Sequence, residues 1–498
     1  MSSFLQQSGD QKPYSEIIPD NLRAGGLTKA SSIVQRRTVR VAPQTGPNYG
    51  ILTGASAGTG AANSQIQFLV ADQGGLVDPR SFRLNYTIRT SGTGACPDDG
   101  HPINVCQIQL NGQMVDNVTA CAKVTNIEMA MGGSKSYYQT AGSFSGFELL
   151  SDDLNTVVPT TSPTAAMLGK WGWVANNTAD ISARAQRSSN TLGNNSLQGT
   201  ARSIPMGLLS GFFRCPTALP ISLLGEINVL LVTGSANEML FTQTTGQTVD
   251  YSLANVSLEY DVLVPSEDLM TLYKRVAMDP NDAGLNYVVE TSILTGGATI
   301  GTAGAPATSL SEFNIVVSRA SNYVTRSSIV QINTAGLSSN LYPSQSCFSY
   351  GNTYSVQWRA GSQVFPNIAP QGPAALFNMS LAAYGGPTNE NGSVVNRLLW
   401  GNSTDFTTPG TAAVFAGSEC ATAKFAYADK FCPSISFEQV RGGYTKPDLQ
   451  GLSLSSASGA QLIGTLVSAP PTQYSVYMLV AALKVIKAQG GAVRVEGA

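Results

Sequence analysis

The sequence is short of charged residues and of histidine. Only 12% of its 498 residues are Asp, Glu, Lys or Arg, about half of the ~25% that is typical of soluble domains. There is a single histidine, His101, which excludes a metal site built on two histidines and argues against a His-based catalytic triad. Basic and acidic residues nearly balance, at 29 and 31, so bulk nucleic-acid binding is not the expected occupation of the chain.

Cysteine is also sparse, and its spacing matches no known site. The seven cysteines include no CxxC pair and form no disulfide framework. Cys96, His101, Cys106 and Cys121 were considered as zinc ligands, but their spacing is not that of a finger, and buried thiols with a loop histidine are the favoured interpretation. The glycine-rich run at 54–60 lacks the GKS or GKT ending of a phosphate loop. No catalytic, cofactor-binding or metal-binding residue is predicted, and the chain is not expected to be an enzyme.

Long apolar runs are missing as well. The longest, at 474–485, has about the length of a strand and is too short to cross ~30 Å of hydrocarbon. The first residues, MSSFLQQSGDQKPYSEIIPD, do not form a basic-then-apolar signal peptide. We therefore expect a soluble chain that is made inside the cell, keeps its thiols reduced and has no transmembrane segment.

What the sequence does contain is alternation of apolar and polar residues, most clearly at 250–280. Val256, Leu258, Tyr260 and alternate residues after them are apolar, whereas Ser257 and its alternates are polar, which is typical of a half-buried strand. Pro265 should end that strand. Ser266 is a suitable N-cap for a helix that runs on through Leu269, Leu272, Tyr273 and Val276 until Pro280.

Similar alternation predicts strands along the rest of the chain. They are expected at 32–43, 64–71, 78–90, within 104–119, 205–213, 226–233, 286–294, 313–318, 322–332, within 354–365, within 424–440, 460–468 and 472–488. Asn111-Gly112 predicts a hairpin turn.

Two segments 249 residues apart resemble each other. QIQLNGQMV at 107–115 and VQWRAGSQVF at 356–365 each hold a turn glycine, Gly112 and Gly361, and each leads into a helical pattern that ends on paired glycines. Matching strands also close the two halves of the chain. This order indicates a duplicated β-domain.

We therefore predict an all-β fold of two tandem eight-stranded antiparallel jelly rolls, with short helices in the connections and long surface loops. The expected divisions are an N-terminal arm at 1–30, a first roll at 31–264 with a long loop at about 137–202, a linker helix at 265–280, a second roll at 281–488 with a long loop at about 387–422, and a C-terminal tail at 489–498.

Four segments make the chain resemble the double jelly-roll major capsid proteins of double-stranded DNA viruses, in particular those of virophages and polinton-like viruses. They are QIQLNGQMVD (107–116), NVSLEYDVLVPSEDLMTLY (255–273), WRAGSQVFPNIAP (358–370) and YSVYMLVAALKVI (474–486). The resemblance implies a homotrimer that forms a pseudo-hexagonal capsomer and tiles an icosahedral shell. It implies as partners other copies of the chain, neighbouring capsomers, penton and minor capsid proteins, and no small-molecule substrate; the protein would be made in the host cytoplasm and reside in the virion.

Two groups of residues are candidates for contacts outside the fold. Six basic residues against three acidic ones in the first 40 positions would suit an inner-face arm that touches the genome or an internal membrane, although an ordinary solvated terminus is the favoured interpretation. They are Lys12, Arg23, Lys29, Arg36, Arg37 and Arg40. Trp171 and Trp173 are candidates for a surface-loop contact, with local packing as the alternative.

Two rival functions remain open from sequence. One is another β-sandwich virion component or a carbohydrate- or receptor-binding surface protein. The other is a β-rich glycan-active enzyme, which would need a cleft with two partnered carboxylates.

Overall fold

The structure is a computed structural model that describes strands and short helices in both halves of the chain. The described residues are 33–50, 60–91, 96–97, 100–133, 145–146, 200–241, 250–279, 284–300, 311–316, 323–333, 353–360, 362–384, 432–437, 451–452, 461–466, 474–490 and 492–496. The predicted arm at 1–30, the loop at 387–422, Gly361 and Pro280 lie outside them.

The described strands of the first half form a five-stranded sheet, a four-stranded sheet and a small two-stranded ribbon. Its strands are β1 (Ile33–Val41), β2 (Gln65–Val70), β3 (Leu76–Ser91), β4 (Cys96–Pro97), β5 (Ile103–Leu110), β6 (Gln113–Thr119), β7 (Thr200–Pro205), β8 (Leu219–Pro220), β9 (Ile227–Thr233), β10 (Leu240–Phe241) and β11 (Asp250–Pro265). One sheet has the order β1-β11-β3-β7, with β8 beside β3, and the other has the order β2-β9-β5-β6. β10 pairs with β4.

The second half repeats this arrangement. Its strands are β12 (Leu285–Ile300), β13 (Ser311–Val316), β14 (Val324–Asn333), β15 (Thr353–Ala360), β16 (Gln363–Phe365), β17 (Ser434–Ser436), β18 (Gln461–Leu466), β19 (Tyr474–Gln489) and β20 (Ala492–Glu496). The sheet orders are β12-β19-β14-β17 and β13-β18-β15-β16. The eight strands β12 to β19, taken in chain order, occupy the same sheet positions as eight strands of the first half. Those eight are β1, β2, β3, β5, β6, β7, β9 and β11.

Each half is therefore a jelly roll, and the chain is a double jelly roll, as the sequence predicts. Every strand pairing among the described residues is antiparallel. The hairpin predicted at Asn111-Gly112 is present, and both residues have positive φ, at 49° and 76°.

Short helices fill the connections. They are α1 (Cys121–Gly132), α2 (Ile221–Leu224), α3 (Ala236–Met239), α4 (Glu267–Met278) and α5 (Pro373–Ala383). α1 follows β6 in the first roll, and α5 follows β16 in the second, so the repeated strand–helix pattern seen in the sequence has a structural counterpart.

The core of the first roll is built from alternate residues of its strands. In β3 the side chains of Phe82, Leu84, Tyr86 and Ile88 are all buried, as the period-2 pattern predicts. The ring of Phe82 stacks on that of Tyr260, with 4.8 Å between the ring centroids. Burying a side chain of this kind stabilises the fold by roughly 1.5–3 kcal/mol.

Residues 205–213 do not form the predicted strand. β7 ends at Pro205, and the chain then makes two 3-10 turns, Met206–Leu208 and Gly211–Arg214. The hydroxyl of Ser210 accepts a hydrogen bond from the backbone N–H of Phe212 at 3.2 Å, which supports the second turn. The side chain of Phe212 is buried there, so a run of apolar residues was mistaken for a strand.

The predicted C-terminal tail is also wrong in part, because β20 continues the sheet. Gly490, with φ of +58°, turns the chain after β19. β20 then pairs antiparallel with the end of β19, and Val493 is buried.

Two of the three residues on the polar face predicted for β11 are buried, and the third, Glu259, is 33% exposed. β11 lies between β1 and β3, and Ser257 and Asp261 are only 6% and 9% exposed. Their side chains are hydrogen-bonded to β1 residues, which is how a sheet buries polar groups at tolerable cost.

Candidate functional site

The two rolls meet at a buried joint that begins with helix α4. Ser266 caps this helix by accepting a hydrogen bond from the N–H of Leu269 at 3.4 Å, and Glu267 and Asp268 lie in its first turn, as the sequence predicts. Leu269 and Tyr273 are fully buried. α4 follows the last strand of the first roll and packs against β12 and β19 of the second.

The backbones of the two rolls approach closely beside this helix. Gly211, in the second 3-10 turn of the first roll, lies against the backbone carbonyl of Glu290 in β12. A Cβ atom built on Gly211 would be 1.9 Å from that carbonyl oxygen. Only glycine therefore fits at this point of the joint.

A buried carboxylate, Asp116 of β6, links the rolls. It is 1% exposed and accepts hydrogen bonds from the hydroxyl of Ser210 in the first roll and that of Thr291 in β12 of the second. Burial raises the pKa of Asp116 above its ordinary value, and the hydrogen bonds from Ser210 and Thr291 oppose that rise. Lys484 of β19 donates to the backbone carbonyl of Val115, next to Asp116, at 2.9 Å.

A second carboxylate, Glu128 of α1, forms the other half of the joint. It is paired with Arg214 of the first roll and with Arg326 of the second, the latter at 3.7 Å, and it accepts a hydrogen bond from the hydroxyl of Ser292 at 2.9 Å. Burial by itself would raise the pKa of Glu128, but the charges of Arg214 and Arg326 outweigh it and hold the pKa below its ordinary value.

Arg326 connects this pair to the rest of the second roll. Its guanidinium lies 3.3 Å from the Glu290 carboxylate and 4.1 Å from the centre of the Tyr384 ring, which follows α5. The hydroxyl of Tyr384 is in turn 3.0 Å from that of Ser328. The joint is thus tied to β12, β14 and the end of α5 at once.

The joint holds three acidic and three basic side chains in balance. They are Asp116, Glu128, Glu290, Arg214, Arg326 and Lys484. Removing one partner of a buried pair typically costs about 3–5 kcal/mol, because the other charge is left without compensation. Such a network favours one orientation of the rolls over slipped alternatives. Its hydrogen bonds and ion pairs connect elements of the first roll to elements of the second.

Three of the basic residues predicted for an N-terminal arm lie in β1 instead. Arg36 donates to the Asp261 carboxylate through Nε at 2.9 Å, Arg40 donates to the Ser257 hydroxyl at 3.0 Å, and Arg37 donates to the carbonyl of Gln73. The side chains of Arg36 and Arg40 remain 64% and 61% exposed. Lys12, Arg23 and Lys29, and also Trp171 and Trp173, lie outside the described residues, and the contacts suggested for all eight stay predictions.

His101 is packed inside the first roll. It is 4% exposed, accepts from the N–H of Ile103 through Nδ1 at 3.3 Å, and lies 3.0 Å from the Thr125 hydroxyl through Nε2. Burial lowers the pKa of His101 to about 3, so the ring is neutral at any ordinary pH. The thiols of Cys106 and Cys121 are buried, and burial raises both pKa values. Among the described residues no group of three or more potential metal ligands comes together.

The residues of the joint are not among those predicted from the sequence, although two of them break an apolar pattern. Lys484 interrupts the apolar pattern of β19, and Asp116 follows the apolar pair Met114-Val115 in the second strand of a hairpin. In a chain with so few charges, a charged residue inside an apolar strand pattern marks a buried partner elsewhere. The pattern does not say which partner.

No protein-family model and no curated protein sequence matches the chain. Solved structures do match it over nearly its whole length. The Faustovirus major capsid protein aligns with a TM-score of 0.54 at 9% identity, covering 93% of this chain and 92% of that one. The Sputnik virophage structure gives 0.52 at 11% identity, covering 94% and 89%, and the PBCV-1 virus capsid gives 0.50 at 12%, covering 94% and 98%.

In the part of the chain that the structure describes, no helix is long and apolar enough to cross a membrane. Identities this low establish the fold and not the function. The chain has the double jelly-roll fold, arranged along its length as in viral major capsid proteins.

Proposed function

We propose that this chain is the major capsid protein of a virus. The observation that carries the proposal is the coverage: two complete jelly rolls account for the chain from β1 to β20, and the likeness to capsid proteins extends over more than nine-tenths of it. A fold alone does not determine function.

The proposed unit is a homotrimer. Three copies of a double roll place six similar domains in a ring, so a threefold particle acquires a nearly sixfold outline and can tile an icosahedral shell. The buried joint keeps the two rolls of each copy in fixed orientation, which this tiling requires. The low charge content is in keeping with large subunit contacts, whose centres are poor in charged residues.

The same proposal sets the remaining partners and the location. The rolls correspond to 31–264 and 281–488, joined by 265–280. Capsomers contact one another and the penton and minor capsid proteins, and the N-terminal arm contacts the genome or an internal membrane. The protein is made in the host cytoplasm, resides in the virion and is not an enzyme.

Light scattering and negative-stain imaging of the purified protein test this proposal. A stable trimer with a hexagonal outline is expected. A monodisperse monomer under conditions that assemble capsids would refute it, and turnover of a glycan would point to the rival enzyme.

A further inference from the structure

The two rolls place equivalent strands in very different surroundings. β1 and β12 are both the first strand of a roll, and each borders the sheet beside its last strand, β11 or β19. In β12, Leu285, Tyr287, Val289, Thr291 and Ser292 are all buried. In β1 the five consecutive residues 34–38 are all exposed.

The reason for this difference is that the first roll covers β12. The covering surface consists of β6, the 3-10 turn at Gly211 and the side chains of α1. Within the described residues β1 pairs with β11 alone, and five exposed residues in a row leave this edge strand without equivalent cover. An uncovered strand edge is a site where another chain can pack.

The corresponding surface of the second roll is partly exposed among the described residues. Its elements are β16 and α5, which stand where β6 and α1 stand in the first roll. α1 is buried along almost its whole length. α5, with the sequence PAALFNMSLAA, contains no charged residue, yet Ala374 and Asn378 are exposed and Met379 and Leu381 are only partly buried. Ile368, in the turn before α5, is 86% exposed.

We propose that the β16–α5 surface of one copy of the chain covers the β1 edge of a second copy. The contact repeats between copies the joint that β6 and α1 make with β12 inside one chain. This inference rests on the proposed homotrimer and specifies which surfaces of the trimer meet.

The chemistry of the two surfaces is compatible. β1 offers Val34, which is 71% exposed, and the aliphatic stems of Arg36 and Arg40, whose charges are already balanced by Asp261 and Glu259. α5 offers an apolar, uncharged face. Aromatic residues, methionine and arginine are enriched at protein interfaces, and lysine and acidic residues are depleted there.

The proposed contact is compatible with a closed ring. The two surfaces lie on different rolls and are not copies of each other, so the contact is head-to-tail and each copy both gives and receives one. In a trimer, the internal joint and this external contact would alternate around a ring of six rolls.

Chemical cross-linking of a double cysteine variant tests the contact. Val34→Cys with Asn378→Cys alters two exposed positions, one on each surface, so the fold should tolerate both. A short bismaleimide added to the purified protein should give linked dimers and trimers on a denaturing gel, well above the wild-type level. Each single variant should remain at the wild-type level. Arg494→Cys, exposed on β20, replaces Val34→Cys in the matched control pair and should also give no ladder.

A substitution supplies a second measurement. Val34→Asp should raise the concentration at which the trimer dissociates by about tenfold or more while leaving the urea midpoint of unfolding unchanged. Val316→Asp, at another exposed valine that is 56% exposed, is the matched control and should leave dissociation within about twofold of wild type.

The outcomes separate the two proposals. Suppose that light scattering shows a trimer. The inference is overturned, and the capsid function still stands, if the double cysteine variant gives no cross-linked product between chains. The same holds if the Val34→Asp trimer dissociates at the same concentration as wild type. A monomer overturns both.

Discussion

Neutralising Glu128 tests whether the joint holds the two rolls together. In Glu128→Gln the side chain keeps its shape and an acceptor for Ser292, but Arg214 and Arg326 lose their carboxylate. Breaking a buried ion pair costs about 3–5 kcal/mol. The cost here should fall to about 2–3 kcal/mol, because Arg326 keeps Glu290 at 3.3 Å and the Arg214 side chain is 36% exposed.

Urea unfolding at one fixed protein concentration measures this loss. With a slope of about 2–3 kcal/mol per molar for a domain of this size, the midpoint should move down by about 1 M. Glu496→Gln, exposed on β20, makes the same chemical change without a buried partner and should stay within about 0.5 kcal/mol of wild type.

A double-mutant cycle then isolates the free energy that comes from a contact between the two rolls. Ser292 belongs to the second roll and Glu128 to the first. Glu128→Ala, which unlike Glu128→Gln leaves no acceptor for the Ser292 hydroxyl, is therefore combined with Ser292→Ala, and their coupling energy reports this hydrogen bond between the rolls. We expect about 0.5–1.5 kcal/mol. Equal midpoints for Glu128→Gln and Glu496→Gln, or no coupling in the cycle, would refute the account of the joint.

Three other predictions follow from the described residues. Gly211→Ala should destabilise the joint by about 2 kcal/mol or more, because its Cβ would meet the facing backbone, whereas Gly207→Ala in the same segment meets nothing closer than 3.4 Å and should be nearly neutral by thermal unfolding. Leu272→Pro, in the middle of α4, should abolish capsomer assembly by light scattering at temperatures where circular dichroism still shows both rolls folded; simultaneous loss of both rolls would contradict the linker role. The thiols of Cys106 and Cys121, buried and with raised pKa values, should react with a maleimide only after unfolding, and alkylation of either in the native protein, seen by mass spectrometry of its peptides, would contradict their burial.

The pH dependence of stability offers a check on Glu128 itself. Its pKa is lower in the folded protein than in the unfolded chain, so its stabilisation is complete above the unfolded value of about 4.3 and is lost as the pH falls through the folded value. Wild type should therefore lose more stability between pH 5 and the acid limit than Glu128→Gln. If urea unfolding shows that wild type and Glu128→Gln lose the same free energy of unfolding as the pH falls below 5, the carboxylate of Glu128 does not stabilise the fold in this way.

Local patterns in the sequence were sufficient for most of the elements. The alternation in β3, the Asn111-Gly112 hairpin and the capped start of α4 depend on neighbours within a few residues, so their physics is present in the sequence itself. The duplication could be inferred for the same reason, because two copies of one local pattern recur in the same order. The strand predicted at 205–213 is wrong because an apolar run with glycines suits both a strand and buried turns.

The joint could not be predicted in this way. Asp116 and Thr291 are 175 residues apart, and Lys484 and Val115 are 369 apart. A charged side chain within an apolar pattern indicates that a partner must exist, since an uncompensated buried charge is too costly, but its identity depends on how the two rolls are placed. The polar face of β11 was misjudged for a related reason. Whether Ser257 and Asp261 meet water depends on β1, which lies more than 200 residues earlier in the chain.

The sequence by itself determined that this protein is a duplicated antiparallel β-sandwich poor in charge, with a helix joining its halves, because period, turn and cap preferences act over short distances. Only the tertiary structure decided how the rolls lock together and which equivalent surfaces stay uncovered. Glu128 and Arg326 form an ion pair only when the two rolls meet. The contrast between buried β12 and exposed β1 likewise exists only once one roll covers the other. Burial is a property of the assembled fold and not of the strand.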